Sequence, residues 1–330
     1  MIKKKILLTG ASGSVGFRVF EELLSYQEDF DLTLFLRKSK KNINMFKPFL
    51  GMIKIKWGNL EDYNDVLKAV DGNDIVIHLA AIIPPKSEEN PERTHLVNVE
   101  GTKNVINAML KQENKPKIIY TSSIAVYGDR IKNPYIKITD PLDEHPQDVY
   151  TETKIAAEKI IINSGLDYII FRLSYCTSTL GLKFKPLMFE MPLDTAIEII
   201  DARDLGLACI NSLKNGIAWR RIFNIGGGQS CQTTFREYLN EMFKIMGLGR
   251  DFLPETAFAK NGFHCGYYDT REEQSLLNFQ RHDLNDWYSE VRKWIGYKRY
   301  LFTLVRWFAK KYLLHKSNYY KKNKLINKGN

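Results

Sequence analysis

The run Ile6-Leu7-Leu8-Thr9-Gly10-Ala11-Ser12-Gly13-Ser14-Val15-Gly16 constrains this chain more than any other stretch. A short apolar segment leads into three glycines at three-residue spacing. Phe17 to Tyr26 then follows a helical pattern. Each glycine answers a different need. Gly10 permits a tight turn off a buried strand, Gly13 lets the backbone approach a pyrophosphate, and Gly16 lets the helix pack closely on the sheet. Gly10, Ser12, Gly13, Ser14, Val15 and Gly16 are therefore the candidate cradle for a dinucleotide, with the first amides of the helix facing its phosphates.

The rest of the chain agrees. Apolar strands are expected at 31–36, 53–57, 74–79, 118–121, 168–173 and 222–225. Helical patterns alternate with them at 63–70, 99–111, 155–162 and 202–213. Such alternation predicts an α/β fold, a Rossmann-type doubly wound parallel sheet with ligands at the carboxyl ends of the strands. Residues 1–173, joined by 201–226, form the expected dinucleotide domain. Residues 174–200 and 227–296, where the alternation weakens, are left to build a smaller interleaved substrate-binding lid.

Composition narrows the setting. The four cysteines, Cys176, Cys209, Cys231 and Cys265, have no paired spacing, which argues against a disulfide framework and fits a cytoplasmic protein. The opening Met1-Ile2-Lys3-Lys4-Lys5 precedes too short an apolar run for a signal peptide. His95, His145, His264, His282 and His315 show no metal-binding spacing, so no metal site is expected. The net charge is +10, and the ten bases from Lys298 onward, with no acid among them, account for all of it. The nearly neutral body gives no electrostatic case for nucleic acid.

The chemistry concentrates at strand ends. Arg37 and Lys38 follow the second strand, about twenty residues after Gly16, where this fold reads the adenosine ribose. No acid stands there for a free 2′-hydroxyl, and a guanidinium fork suits a 2′-phosphate, so NADP(H) is expected ahead of NAD(H). The Asn59 amide oxygen, beside Leu60, suits the adenine amino group or a polar turn. Tyr150 and Lys154 stand four apart on one helix face, so the ammonium is expected to lower the phenol towards neutrality and fit it for general acid–base work. Ser122 or Ser123, at the end of the fifth strand, can bond the same reacting oxygen. His78, after a buried strand, reads as a packed histidine rather than a catalyst. Arg172 suits either a phosphate or an acidic partner.

Together these pieces resemble the extended short-chain dehydrogenase/reductases, the NAD-dependent epimerase/dehydratase family. The resemblance rests on Thr9–Gly16, Gly58-Asn59-Leu60, His78-Leu79-Ala80-Ala81, the Asn98–Val105 segment, and Thr121-Ser122-Ser123 with Val126-Tyr127-Gly128. It continues through Tyr150 with Lys154, Arg172-Leu173-Ser174, Arg203-Asp204-Leu205 and Phe223–Gly227, in order over residues 1–296. It implies Ser123 as catalytic hydroxyl, Tyr150 as acid/base and Lys154 as the ribose-binding cation. It also implies Leu79, Ala80 and Ala81 along the pyrophosphate, and Asn98 beside the cofactor or supporting the site.

The departures narrow the activity. Ile124 and Ala125 stand where nucleotide-sugar dehydratases usually carry an acidic pair, which disfavours dehydration. Tyr175-Cys176 replaces the Asn-Pro usual in UDP-hexose epimerases, and the lid segment 183–192 is short. The implied function is hydride transfer at a secondary alcohol or ketone. The substrate is either a nucleotide-linked sugar or a free ketone or aldehyde, the latter resembling dihydroflavonol reductases. A non-catalytic dinucleotide-binding or membrane-tethered scaffold is the rival, and the intact Ser-Tyr-Lys set speaks against it.

The tail exceeds the family's usual end. Leu301, Leu304, Val305, Phe308 and Tyr312 share one helical face opposite Arg299, Arg306 and Lys310. Three expectations compete for residues 299–315: docking onto the body, a homodimer contact, or peripheral contact with an anionic membrane. Residues 316–330 are expected to be disordered.

Overall fold

The opening apolar run forms the strand Lys4–Thr9, with Ile6, Leu7 and Leu8 fully enclosed. In the computed structural model, which describes residues 3–329, this strand lies inside a seven-stranded sheet. Phe30–Leu36 and then Lys54–Trp57 extend the sheet on one side. Ile75–His78, Lys117–Ser123, Tyr168–Leu173 and Arg221–Ile225 follow on the other. Every pairing is parallel. The order reverses beside the first strand, which opens a crevice at its carboxyl end.

Parallel strands covered on both faces are apolar for most of their length, as in the inner runs 6–8, 75–77 and 169–171. One face is covered by the helices Ser14–Leu24 and Ala202–Lys214, through Val19, Phe20, Leu205 and Ile210. The other is covered by Tyr63–Val70, Gly101–Leu110 and Val149–Ile162, through Val66, Val105, Ala157 and Ile161. The helix expected at 99–111 is preceded by a wide π-helical turn at Leu96–Glu100, and the one expected at 155–162 starts earlier, capped by Asp148.

A second apolar core stands beside the sheet. It gathers Tyr127 and Ile136, Phe189 and Ile199, and much of 231–295. A small sheet pairs Ala196–Asp201 with Tyr175–Thr177 on one edge and Gln232–Thr234 on the other. The helices Phe235–Ile245 and Leu284–Ile295 close it with Leu239, Met242, Phe243, Trp287 and Val291 inward. The apolar spacing of Phe235, Tyr238, Leu239 and Met242 already carried a helical signal that the sequence reading passed over.

The tail departs from expectation. It is not one amphipathic helix followed by disorder but three helices, Lys298–Leu304, Arg306–Lys316 and Asn318–Gly329, broken at Val305. Residue 330 lies outside the described residues. The three helices of the tail dock onto the second core. Leu313 is buried there, Thr303 Oγ1 donates to the Gly247 carbonyl at 3.0 Å, and Ser317 Oγ donates to that of Ala257 at 2.6 Å. Asn323 Nδ2 donates to the Thr256 carbonyl at 2.8 Å. A lysine-rich composition suggested a solvated coil; these polar anchors on loop carbonyls order it instead. No described helix is long and apolar enough to cross a membrane.

Candidate active site

A cleft of about 1310 Å³ runs along the carboxyl ends of the strands. At one end lies the glycine turn. Gly10 has φ +79°, and a side chain there would stand 2.6 Å from the Ala80 amide nitrogen. A side chain on Gly16 would strike the Gly10 carbonyl. The turn is thus closed to any other residue, while the helix Ser14–Leu24 begins at Gly13 with its first amides free for an anion. Gly10, Ser12, Gly13, Ser14, Val15 and Gly16 all line the cleft, as do Leu79, Ala80 and Ala81 opposite. This bare backbone cradle fits a pyrophosphate.

Arg37 and Lys38 line the cleft at the end of the second strand. Both are exposed, and neither has an ion-pair partner among the described residues. Asn42 Nδ2 donates to the Arg37 carbonyl at 2.8 Å and steadies the turn that presents them. Asn59 and Leu60 line the wall beyond, the Asn59 amide donating to Asp65 at 3.1 Å.

Ser123, Tyr150 and Lys154 meet where the cleft passes the fifth strand. Ser123 ends that strand, and its hydroxyl accepts from the Ala125 amide at 3.2 Å. Tyr150 and Lys154 project from the helix Val149–Ile162. Burial pushes the Tyr150 phenol up to about 12, against the easing effect of the Ser123 hydroxyl. This corrects the sequence expectation of a lowered phenol, because burial outweighs every lowering influence on it. The Lys154 ammonium stands 5.8 Å from the Tyr150 ring centroid. It donates instead to Tyr120 Oη at 3.1 Å and to the Thr121 carbonyl at 2.7 Å. Burial lowers Lys154 to about 7, the Glu158 carboxylate opposing the shift. Sequence spacing put the two residues on one face, but could not show that a strand tyrosine captures the ammonium.

Supporting residues surround the set. Asn98, expected beside the cofactor or supporting the site, does not line the cleft. Its Oδ1 accepts from the Ile82 amide at 2.7 Å, and its Nδ2 donates to the Ile82 carbonyl at 3.0 Å and to Thr153 Oγ1 at 3.1 Å. It clamps the loop after the fourth strand to the helix of Tyr150. His78 is fully enclosed between Thr9 Oγ1, at 2.7 Å, and Thr102 Oγ1, at 3.1 Å. Burial pushes it down to about 3, with the charge of Lys154 adding to the effect. Arg172 faces no cleft; it forks onto Glu158 at 3.1 and 2.7 Å and donates to Tyr127 at 2.9 Å.

Beyond Tyr150 the cleft becomes apolar. Met188, Tyr238, Met242, Met246, Phe263 and Trp287 line it, with the exposed Lys183 and Lys185 at its edge. These side chains come from the irregular segments that sequence patterning resolved least.

Sheet order, glycine turn and the Ser-Tyr-Lys cluster define a dinucleotide-fold protein of the short-chain dehydrogenase type. The model of the 3-beta hydroxysteroid dehydrogenase/isomerase family matches residues 7–170. A 3-beta-hydroxysteroid dehydrogenase of Mycolicibacterium neoaurum is 33% identical over 168 residues, 49% of this chain and 43% of the relative. The N-acetyl-alpha-D-glucosaminyl-diphospho-ditrans,octacis-undecaprenol 4-epimerase of Escherichia coli O157:H7 is 34% identical over 47% of this chain and 42% of its own. The matched segment thus spans less than half the length of these curated relatives. Among solved structures, a dTDP-glucose 4,6-dehydratase of Streptomyces venezuelae with NAD bound superposes with TM-score 0.75 at 18% identity, covering 90% of this chain and 98% of that one. A Thermotoga maritima UDP-glucose 4-epimerase with UDP-glucose gives 0.71 at 18%, covering 88% and 98%. The chain belongs to the extended short-chain dehydrogenase/reductases, the NAD-dependent epimerase/dehydratase family.

Proposed function

We propose that this protein is an oxidoreductase that interconverts a secondary alcohol and a ketone on a substrate with a large apolar body. One observation carries the reading. Ser123, Tyr150 and Lys154 line the same cleft as a phosphate-fitting glycine cradle and a group of apolar side chains. A bound nicotinamide dinucleotide supplies hydride acceptance or donation. Gly10 to Gly16 and Leu79 to Ala81 would hold its pyrophosphate, and Lys154 its ribose hydroxyls. Arg37 and Lys38 would hold a 2′-phosphate, so NADP(H) is preferred and NAD(H) is the second choice. The Tyr150 phenol, protonated across the neutral range, gives its proton to a ketone oxygen in reduction and becomes a phenolate; in oxidation that phenolate is the form that takes the proton from the alcohol. Ser123 donates to the same oxygen and fixes its position.

The segments 174–200 and 227–296 supply the substrate side of the cleft, and its methionines and aromatics favour an apolar partner. The relatives named for a hydroxysteroid and for an undecaprenol-linked sugar agree with a carbinol joined to an isoprenoid body. A sugar on a diphosphate is the second reading, favoured by Lys183 and Lys185 at the edge of the same arm. Tight retention of the dinucleotide through purification would favour epimerisation, and free exchange would favour a reductase.

The test is Tyr150→Phe, assayed by nicotinamide absorbance against sterol, polyprenyl-linked and nucleotide-linked alcohols. Turnover should fall about a thousandfold or more while dinucleotide binding, read by fluorescence, stays unchanged. Near-normal turnover would overturn the mechanism.

A further inference from the structure

The docked tail leaves one face uncovered. More than half of the exposed large apolar side chains among the described residues lie between Trp294 and Leu325. Leu304 is 83% exposed, Phe308 68%, Tyr312 63%, Leu301 60% and Trp307 58%. Soluble surfaces rarely gather so much apolar area in one place without a partner.

The charge on this face selects the partner. The chain from Tyr297 on carries ten bases and no acid. Several sit directly beside the exposed rings. Lys311 Nζ lies 3.6 Å from the Trp307 ring centroid, and the Arg299 guanidinium lies 4.7 Å from that of Tyr300. Lys316 Nζ lies 5.5 Å from the Tyr312 ring. Cation heads flanking half-submerged aromatic and aliphatic side chains match the interface of a bilayer, where rings enter at the headgroup level and ammonium groups reach out to phosphate. A second copy of the chain set face to face would bring two strongly basic tails together. A nucleic acid would meet the charge but leave Leu301, Leu304 and Phe308 in water.

We infer that the face formed by the helices Lys298–Leu304 and Arg306–Lys316 docks the protein onto an anionic lipid bilayer. The chain lies on the surface and does not span it. This stands on the tail alone and holds whatever reaction the cleft performs. It also has a geometric consequence. Met246 lines the apolar arm of the cleft, and the carbonyl of the next residue, Gly247, accepts from Thr303 of the tail. The helix Lys298–Leu304 therefore packs on the segment that follows a lining residue of the apolar arm, which suits a substrate that arrives from the lipid phase.

The experiment is sedimentation of the full chain with vesicles of phosphatidylcholine containing about one third phosphatidylglycerol, against phosphatidylcholine alone. The protein should pellet with the anionic vesicles, and raised salt should weaken the binding. Leu304→Glu, Trp307→Glu and Phe308→Glu combined should reduce the bound fraction about tenfold without changing the melting temperature. Lys311→Gln with Lys316→Gln should weaken binding to anionic vesicles only. Failure of the native chain to pellet with the anionic vesicles would overturn the inference, as would equal pelleting of the triple variant. A dimer in gel filtration that the triple variant converts to a monomer, with no vesicle binding, would assign the face to a second copy and overturn it as well.

Discussion

The Lys154 ammonium donates to the phenolic oxygen of Tyr120 at 3.1 Å, one residue before the Thr121 carbonyl that it holds at 2.7 Å. Tyr120 is itself buried, and burial holds its phenol well above the ordinary range, so it accepts as a neutral group. Lys154 sits near 7 and therefore lies close to half-charged at neutral pH in the free protein. A step that needs the cation weakens as pH rises through that value.

Tyr120→Phe tests this directly. Losing an acceptor should lower Lys154 further, move the alkaline fall of kcat/KM to lower pH, and reduce kcat about tenfold. Tyr120 touches no expected substrate atom, so it acts as a positioning residue. An unchanged pH profile would show that the contact has no part in the chemistry.

Arg37→Asp tests the choice of dinucleotide. The acid should accept a ribose 2′-hydroxyl and repel a 2′-phosphate, shifting the NADP(H)-to-NAD(H) ratio of kcat/KM by about tenfold or more. A ratio that does not move removes Arg37 and its neighbour Lys38 from the argument.

The fork between Arg172 and Glu158 is a stability element. Its side chains are 6% and 1% exposed. Glu158→Gln leaves a buried guanidinium without its counter-charge and should cost about 3–5 kcal/mol in denaturant unfolding. The same change removes the carboxylate that props up Lys154, so the activity profile should also move to lower pH.

His78 predicts the acid limb of stability. Its folded value, about 3, lies below the unfolded value near 6.5. Between these the unfolded chain binds the extra proton, so stability falls as pH drops from 6.5 to 3, by up to on the order of 4 kcal/mol. His78→Asn should flatten that slope in urea titrations across the window, whatever it does to absolute stability.

Some of this protein was legible in sequence because the signals were local. The glycine spacing at 10–16, the apolar strands and the four-residue step from Tyr150 to Lys154 are properties of single turns and segments. All seven strands form where expected, to within a residue or two at each end, because most have a short apolar run at their centre. Leu79, Ala80 and Ala81, which line the cleft with Gly10, were implied by the family resemblance rather than by any local pattern.

Tertiary structure decided what depends on groups far apart in the chain. Tyr120 takes the Lys154 ammonium because two elements 34 residues apart pack together. Asn98 turns away from the cleft because the loop at Ile82 and the helix at Thr153 lay claim to its amide. The tail is ordered because carbonyls at Gly247, Thr256 and Ala257 receive its polar groups, which lysine content alone cannot reveal. A residue's type and its near neighbours set what it can do, whereas burial and distant partners set its protonation and its contacts.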